Sequence, residues 1–207
     1  EIPLRLVGSE MCIRDRSYSD EITSVSETID GSYIVGGKFN SSSIDLGNGI
    51  SLTNKRSGWN DGMLIKLEKI ERPTLTVKKA YGIGESNYDY IKSVAETSDG
   101  GYIVGGEFRS SRIDLGNGIS LTHKGYSDGM IIKYNATGEV EWAEGIGGTG
   151  TDSIITVAET SDGGYIVGGK FGGSIDLGNG ISLTNKDSFD GMIIKYNATG
   201  EVEWAEG

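Results

Sequence analysis

The sequence predicts an all-β chain built from three copies of one four-stranded antiparallel unit. Three observations carry that expectation. The string Asp99-Gly-Gly-Tyr-Ile-Val-Gly-Gly106 returns at 162–169, and a variant, Asp30-Gly-Ser-Tyr-Ile-Val-Gly-Gly37, lies 69 residues earlier. Ile-Asp-Leu-Gly-Asn-Gly-Ile-Ser-Leu-Thr occurs at 44–53, 113–122 and 175–184, and Asp-Gly-Met at 61–63, 128–130 and 190–192. Apolar residues come in short runs of β-formers, and no segment keeps helical spacing over three turns. Glycine supplies 34 of 207 residues, about twice its usual share of ~7%, as a chain of many tight reversals needs.

The middle copy justifies each element in turn. Ile91 to Thr97 reads as a short strand, and Ser98-Asp-Gly-Gly101 as a turn, because Asp and Gly supply the dihedrals of a tight reversal. Tyr102 to Phe108 is a second strand. Ile113-Asp-Leu-Gly then meets Ile119-Ser-Leu-Thr across Asn117-Gly118, a pair that favours the hairpin turn with positive φ at both central residues. Met130 to Tyr134 is a further strand, and Asn135-Ala-Thr-Gly138 turns it into Glu139 to Glu144. Tyr102 to Val104 and Met130 to Ile132 are apolar at every position, which predicts burial on both faces. Glu139-Val-Glu-Trp142 alternates and predicts an outer strand with one wet side. The double glycine Gly105-Gly106 predicts a close approach of neighbouring backbones.

A four-stranded meander repeating every ~60 residues describes a propeller blade with an inserted Asn-Gly hairpin. The copies frame as 17–83, 84–147 and 148–207, with nothing resembling a linker between them. Three blades make an open arc, since closed rings take roughly four to eight. Residues 1–16, which hold Cys12, fit no copy and resemble translated sequencing-adapter read-through. The chain stops at Trp204-Ala-Glu-Gly207, where earlier copies run on into Ile-Gly. Both ends are expected to be cut, with further blades in the full-length chain.

Composition excludes several function classes. Lys plus Arg is 19 and Asp plus Glu is 30, a net charge of −11. Such a chain repels phosphate backbones and anionic lipid, so neither nucleic acid nor a membrane is an expected partner. No run of 18 apolar residues exists. One His and one Cys argue against a zinc site, a thiol enzyme or a disulfide scaffold.

The run Asp-Gly-Met-Ile-Ile-Lys-Tyr-Asn-Ala-Thr-Gly-Glu-Val-Glu-Trp-Ala-Glu-Gly-Ile-Gly-Gly, followed by Val-Ala-Glu-Thr-Ser-Asp-Gly-Gly-Tyr-Ile-Val-Gly-Gly, resembles the bacterial SBBP-type β-propeller repeats. The double glycine after a strand is also similar to kelch repeats. The resemblance covers 17–207 and implies a segment of a large secreted or cell-surface bacterial protein. The first copy departs from it: Lys79 stands where Trp142 sits and the Asn-Ala-Thr-Gly turn is lost, which puts the edge of the first blade in doubt.

Repetition also weighs against catalysis. Glu27, Glu96 and Glu159 recur, as do Asp45, Asp114 and Asp176, so each marks scaffold rather than a unique acid–base pair. Calcium at Asp45-Leu-Gly-Asn-Gly49 would suit oxygen ligands in a turn, but the Asp spacing of calcium loops is missing and a plain hairpin is expected. No cofactor is expected. His123 aligns with Asn54 and Asn185 and reads as a polar turn residue. Asn40, Asn135 and Asn197 head Asn-x-Ser/Thr sequons, two of them simply the repeated turn.

The copies differ mainly just before Asp-Gly-Met. Trp59, Tyr126 and Phe189 are the aromatics of these variable loops, and Arg109 and Arg112 occur in the middle copy only. Variable loops on a fixed scaffold are where binding usually sits, so these five residues are the candidate ligand contacts, for a protein or a glycan. The competing reading for the aromatics is that they wedge between blades. Trp142 and Trp204, on the outer strand, are expected to pack. The expected function is a non-catalytic repeat scaffold. The alternatives are a propeller hydrolase or lyase with its active residues in other blades, and a purely structural spacer.

Overall fold

The computed structural model describes residues 20–56, 58–71 and 74–207. The leader 1–16, with Cys12, lies outside them. Eighteen strands follow in chain order. The first copy holds β1 (Glu21–Glu27), β2 (Tyr33–Phe39), β3 (Ser43–Asp45), β4 (Ser51–Thr53), β5 (Asp61–Glu71) and β6 (Thr74–Ile83). The second holds β7 (Asp89–Glu96), β8 (Tyr102–Phe108), β9 (Arg112–Gly116), β10 (Ile119–Thr122), β11 (Asp128–Tyr134) and β12 (Val140–Ile146). The third holds β13 (Ser153–Glu159), β14 (Tyr165–Phe171), β15 (Ser174–Asp176), β16 (Ser182–Thr184), β17 (Asp190–Tyr196) and β18 (Val202–Glu206). No helix occurs among the described residues.

The pairing matches the meander. Three antiparallel sheets run β1-β2-β5-β6, β7-β8-β11-β12 and β13-β14-β17-β18. Each carries a two-stranded hairpin, β3–β4, β9–β10 or β15–β16, between its second and third strands. The Asn-Gly turns have the expected backbone: φ is 53° at Asn48, Asn117 and Asn179, and 75–79° at the glycine that follows. Only glycine and asparagine adopt this region at little cost. The first blade keeps its edge. β5 and β6 extend until Glu71 pairs with Thr74, so a longer hairpin replaces the lost turn. In place of Trp142, Lys79 bonds the Thr137 carbonyl of the next blade, and Tyr81 Oη donates to Gly138 O at 2.6 Å.

The sheets stack face to face as an open propeller arc, and the double glycine explains how. Each first strand has a bulge, between Ile22 and Ser24, Ile91 and Ser93, or Ile154 and Thr156. The bulge pushes the carbonyl of Glu21, Tyr90 or Ser153 against the second glycine of the pair, where a Cβ would collide with it. The first glycine serves a different purpose. A Cβ on Gly105 would lie 2.5 Å from Val157 Cγ1 and 2.7 Å from Ile154 Cγ2 of the next blade. Gly36 meets Ile91 and Val94 in the same way, at 2.6 and 2.8 Å. The missing side chain is thus the socket that receives the next blade's Ile and Val. Around these sockets two continuous cores form, one joining Ile34, Leu64, Ile91, Val94, Val104 and Ile132, the other Ile103, Ile131, Ile154, Val157, Val167 and Ile194.

Polar bonds repeat at each junction. Ser24 Oγ accepts Val94 N–H at 3.1 Å, and Ser93 Oγ accepts Val157 N–H at 3.3 Å. Glu96 accepts Ile29 N–H at 2.7 Å; Glu159 accepts Ser98 N–H at 2.7 Å and Ser98 Oγ–H at 2.8 Å. Glu96 and Glu159 are therefore spent on holding the preceding blade's turn. Lys133, fully buried, donates to Asp99, Glu141 and the Tyr134 carbonyl, and Lys195 repeats this with Asp162, Glu203 and Tyr196. A buried ammonium is tolerable with such a full set of acceptors. Trp142 packs as expected, 5.6 Å from the Tyr165 ring and 6.2 Å from Tyr196, whereas Trp204 is 44% exposed.

The socket reading makes a direct prediction. Gly105→Ala should lower unfolding free energy by about 1–3 kcal/mol, the usual range for overpacking. Gly168→Ala, whose Cβ would meet only Thr156 Cγ2 at 3.0 Å, should have a smaller effect. Urea denaturation of the two variants side by side measures the difference.

Candidate functional site

The variable loops, the β6–β7 and β12–β13 connections and the ends of β2, β8 and β14 gather at one end of the arc. Buried aspartates build this end. Asp89 Oδ1 accepts the N–H groups of Arg109 and Ser110 at 3.1 and 3.2 Å, and Oδ2 accepts Ser110 Oγ–H at 2.6 Å. Ser110 Oγ in turn accepts N–H bonds from Glu85, Ser86 and Asn87. Asp89 N–H bonds Asn60 O at 2.8 Å and Arg109 N–H bonds Tyr88 O at 3.0 Å. One residue, through its carboxylate and its backbone N–H, therefore locks together the loops that carry Trp59, Tyr88 and Arg109. Asp20 clamps Asn40 and Ser41 likewise, and Asp152 holds Gly172 N–H.

On this base lies a ribbon of rings and cations. Lys38 Nζ sits 5.2 Å from the Tyr90 ring centroid, Tyr90 stacks on Tyr88 at 6.2 Å, and Tyr88 meets Trp59 at 4.6 Å. Arg56 lies 5.8 Å over Trp59. Arg109 sits between two tyrosines, 5.9 Å from Tyr88 and 4.9 Å from Tyr126. Its Nη2 is 3.8 Å from Glu107, while its Nε is buried without a partner. Such cation–ring contacts are worth about 0.5–1 kcal/mol each when exposed and more when water is excluded. Tyr126 is 66% exposed, so one wall of the ribbon is open to solvent. In the third blade Lys170 lies 5.0 Å over the half-exposed Phe189.

The five candidate residues therefore separate. Trp59, Tyr126 and Arg109 converge on one ribbon. Trp59 also wedges between blades against the Tyr88 ring. Phe189 stands at the same end on the third blade. Arg112 lies on the exposed side of the β9–β10 hairpin, opposite Thr122, and joins none of them. Tyr88, Tyr90, Lys38 and Arg56 were not singled out in the sequence. The signal was available: both tyrosines flank the shared Asp89 and are replaced by Thr151 and Ser153 in the next copy.

Asp45, Asp114 and Asp176 each accept the N–H of the glycine two residues on, at 2.8–2.9 Å, which caps the hairpin. No group of three or more His, Cys, Asp or Glu side chains is placed to hold a metal among the described residues. His123 packs edge-on against Phe108 at 6.2 Å. A cleft of about 360 Å³ on the outer rim between the second and third blades is lined by Lys124, Glu144, Asp176, Tyr196 and Glu201. It stands apart from the aromatic ribbon.

No family model matches the chain. Over 84 residues it is 31% identical to the regulatory protein FlaEY of Caulobacter vibrioides, a match covering 39% of this chain and 9% of that protein. The chain thus spans a small fraction of the length of the curated relative it matches.

Paired acids at the blade junctions make the fold pH-sensitive. Gly84 is flanked by Asp61 and Asp89, and Gly147 by Asp128 and Asp152. Burial pushes Asp89 up to about 6 against its hydrogen bonds, and burial also raises Asp61, Asp128 and Asp152. A folded-state pKa above the unfolded value means that the native state holds the proton more tightly. Asp89 therefore contributes stability at low pH that is lost as pH rises through about 6, and Asp61, Asp128 and Asp152 act in the same direction. Asp30 acts in the opposite direction: the Thr28 hydroxyl and Ser32 hold it at about 2, so its contribution is lost only in stronger acid. The thermal midpoint should fall between about pH 4 and pH 7. Asp128 Oδ1 is buried without a partner while Oδ2 accepts Lys124 N–H. Asp128→Asn, which keeps one oxygen and adds a donor toward Asp152, should raise the midpoint at neutral pH and flatten this slope. Calorimetry across that pH range checks both.

Proposed function

We propose that this chain is a non-catalytic β-propeller repeat scaffold, a segment of a larger bacterial secreted or cell-surface protein, which binds a protein or glycan through its loop end. The observation that carries the reading is the ribbon from Lys38 through Tyr90, Tyr88 and Trp59 to Arg109 and Tyr126. Solvent-facing rings held rigid from beneath suit stacking on sugar rings or anchoring a partner's side chain, because little conformational entropy is left to lose. The recurring acids support a binding role over catalysis, since Glu96, Glu159, Asp45, Asp114 and Asp176 are each spent on a turn. The secreted or surface setting rests on the resemblance to SBBP-type repeats.

Tyr126→Ala and Arg109→Lys test the site. Tyr126 is mostly exposed, so its removal should shift stability by no more than about 0.5 kcal/mol. Arg109→Lys keeps the charge and loses the planar stacking group. Affinity electrophoresis through gels containing polygalacturonate, xylan or alginate is the first readout. Retardation of the parent chain, weakened at least about fivefold in both variants, is the expected outcome. Retardation unchanged in both variants would remove the ribbon from the reading. An unretarded parent chain would exclude these glycans and leave a protein ligand.

A further inference from the structure

We propose that the outer-rim cleft between the second and third blades binds a linear aliphatic polyamine. The site is separate from the loop end and uses none of the ribbon residues. It rests on a comparison of the two junctions inside the chain, which share one plan and differ where the cleft lies.

Two substitutions between copies open the cleft. Glu144 on β12 occupies the position of Tyr81 on β6. Tyr81 closes the first junction: its ring lies 5.7 Å from that of Tyr134, and its hydroxyl donates to Gly138 O at 2.6 Å. At the second junction the counterparts of Tyr134 and Gly138 are Tyr196 and Gly200, and both line an opening of about 360 Å³. That volume lies within the range of small-molecule sites, roughly 300–1,000 Å³. The second change frees a cation. Lys55 pairs with Glu85 at 2.6 Å, but Gly148 stands at the position of Glu85 in the next copy, so its counterpart Lys124 has no such carboxylate. The cleft belongs to this junction alone. Leu115, Tyr134 and Val140, which match its walls Leu177, Tyr196 and Val202, pack in the core shared with the first blade, and none of them joins the core shared with the third. A blade following the third would therefore leave the cleft as it is.

The lining selects the ligand. Glu144, Asp176 and Glu201 face Lys124 across the opening, three negative charges against one positive. Asp176 Oδ1 accepts the Gly178 N–H and Glu201 Oε2 accepts from Asn197 Nδ2. The second oxygen of each, and both oxygens of Glu144, make no hydrogen bond among the described residues. The three carboxylates come from separate elements: Glu144 from β12, Asp176 from the end of β15, Glu201 from the turn ahead of β18. They do not gather around a point where one metal ion could sit. Ile146, Leu177 and Val202 supply an apolar wall between them. Tyr196 is only 1% exposed, and its hydroxyl, without a hydrogen-bond partner among the described residues, can accept from an N–H group. A chain of methylenes carrying spaced ammonium groups matches this pattern, its charges on the carboxylates and its stems along the apolar wall. A single exposed ammonium–carboxylate pair is weak, so affinity comes from several made by one ligand.

Titration calorimetry with spermidine at physiological salt tests the site. The parent chain should bind one molecule in a saturable step. Glu144→Gln keeps the shape and removes one charge, and should weaken binding at least about fivefold. Glu144→Tyr copies the first junction and should abolish binding by filling the cleft. Lys124→Met removes the opposing ammonium and should tighten binding at least about twofold. Glu68→Gln, at an exposed ion pair on the first blade, should bind as the parent does. Thermal melts establish that each variant is folded. A parent chain without a saturable one-to-one step overturns the proposal. So does unchanged affinity in folded Glu144→Gln and Glu144→Tyr, since the ligand would then lie elsewhere. Weaker binding in Lys124→Met overturns it as well, because an anionic group would then be what the cleft holds. Equal weakening in Glu68→Gln and Glu144→Gln overturns it by showing only the diffuse pull of an acidic chain.

Discussion

Everything in this molecule depends on a side chain that is absent. A four-stranded sheet with apolar residues on both faces cannot stand alone in water, and both internal junctions are closed by dropping the Ile and Val of one blade onto the first glycine of its neighbour. Any side chain at Gly36 or Gly105 would hold the sheets apart and open the cores centred on Ile91 and Ile154. The bulge in each first strand and the second glycine belong to the same device. They let the inserting strand lie close enough to its partner for its branched side chains to point across the gap. Stability of such a stack is close to a sum of unit and nearest-neighbour contributions.

Around this socket the most deeply buried ammonium groups and Asp89 are well supplied with partners. Lys133 and Lys195 have three acceptors each, and Asp89 collects four donors. The carboxylates left short of donors, Asp61 and Asp128, lie beside other carboxylates at the loop end. The rigidity that Asp89 gives to the loops is what allows Tyr88, Trp59 and Arg109 to form a fixed surface. Scaffold and candidate site share that one residue.

Much of the fold was legible because repetition supplies its own comparison. Strand order, the Asn-Gly hairpin and the alternating outer strand all follow from local pattern, and strand ends differ by one or two residues. The double glycine was read as backbone approach, which holds for the second glycine; the first faces side chains of another blade, a contact between residues some fifty positions apart that periodicity does not encode. The first blade's edge looked doubtful because its turn and tryptophan are missing, yet strand pairing continues through a longer hairpin. At the loop end Trp59, Tyr126 and Arg109 were found from variation between copies. Arg112 was grouped with them because it is close in sequence, but the hairpin carries it away. Tyr88 and Tyr90 flank an Asp shared by the copies, and their contacts with Trp59 and Lys38 arise only where two blades meet.

Residues 113–145 and 175–207 differ at four of 33 positions, and every internal junction uses the same socket. A gene with such copies invites misaligned recombination, which deletes or duplicates whole units. In most proteins the product would be a broken core. Here the crossover leaves each remaining Ile and Val facing a glycine of identical geometry, so the shortened or lengthened chain still folds. Blade number is then free to drift between generations while the loops, which touch no socket, diversify independently.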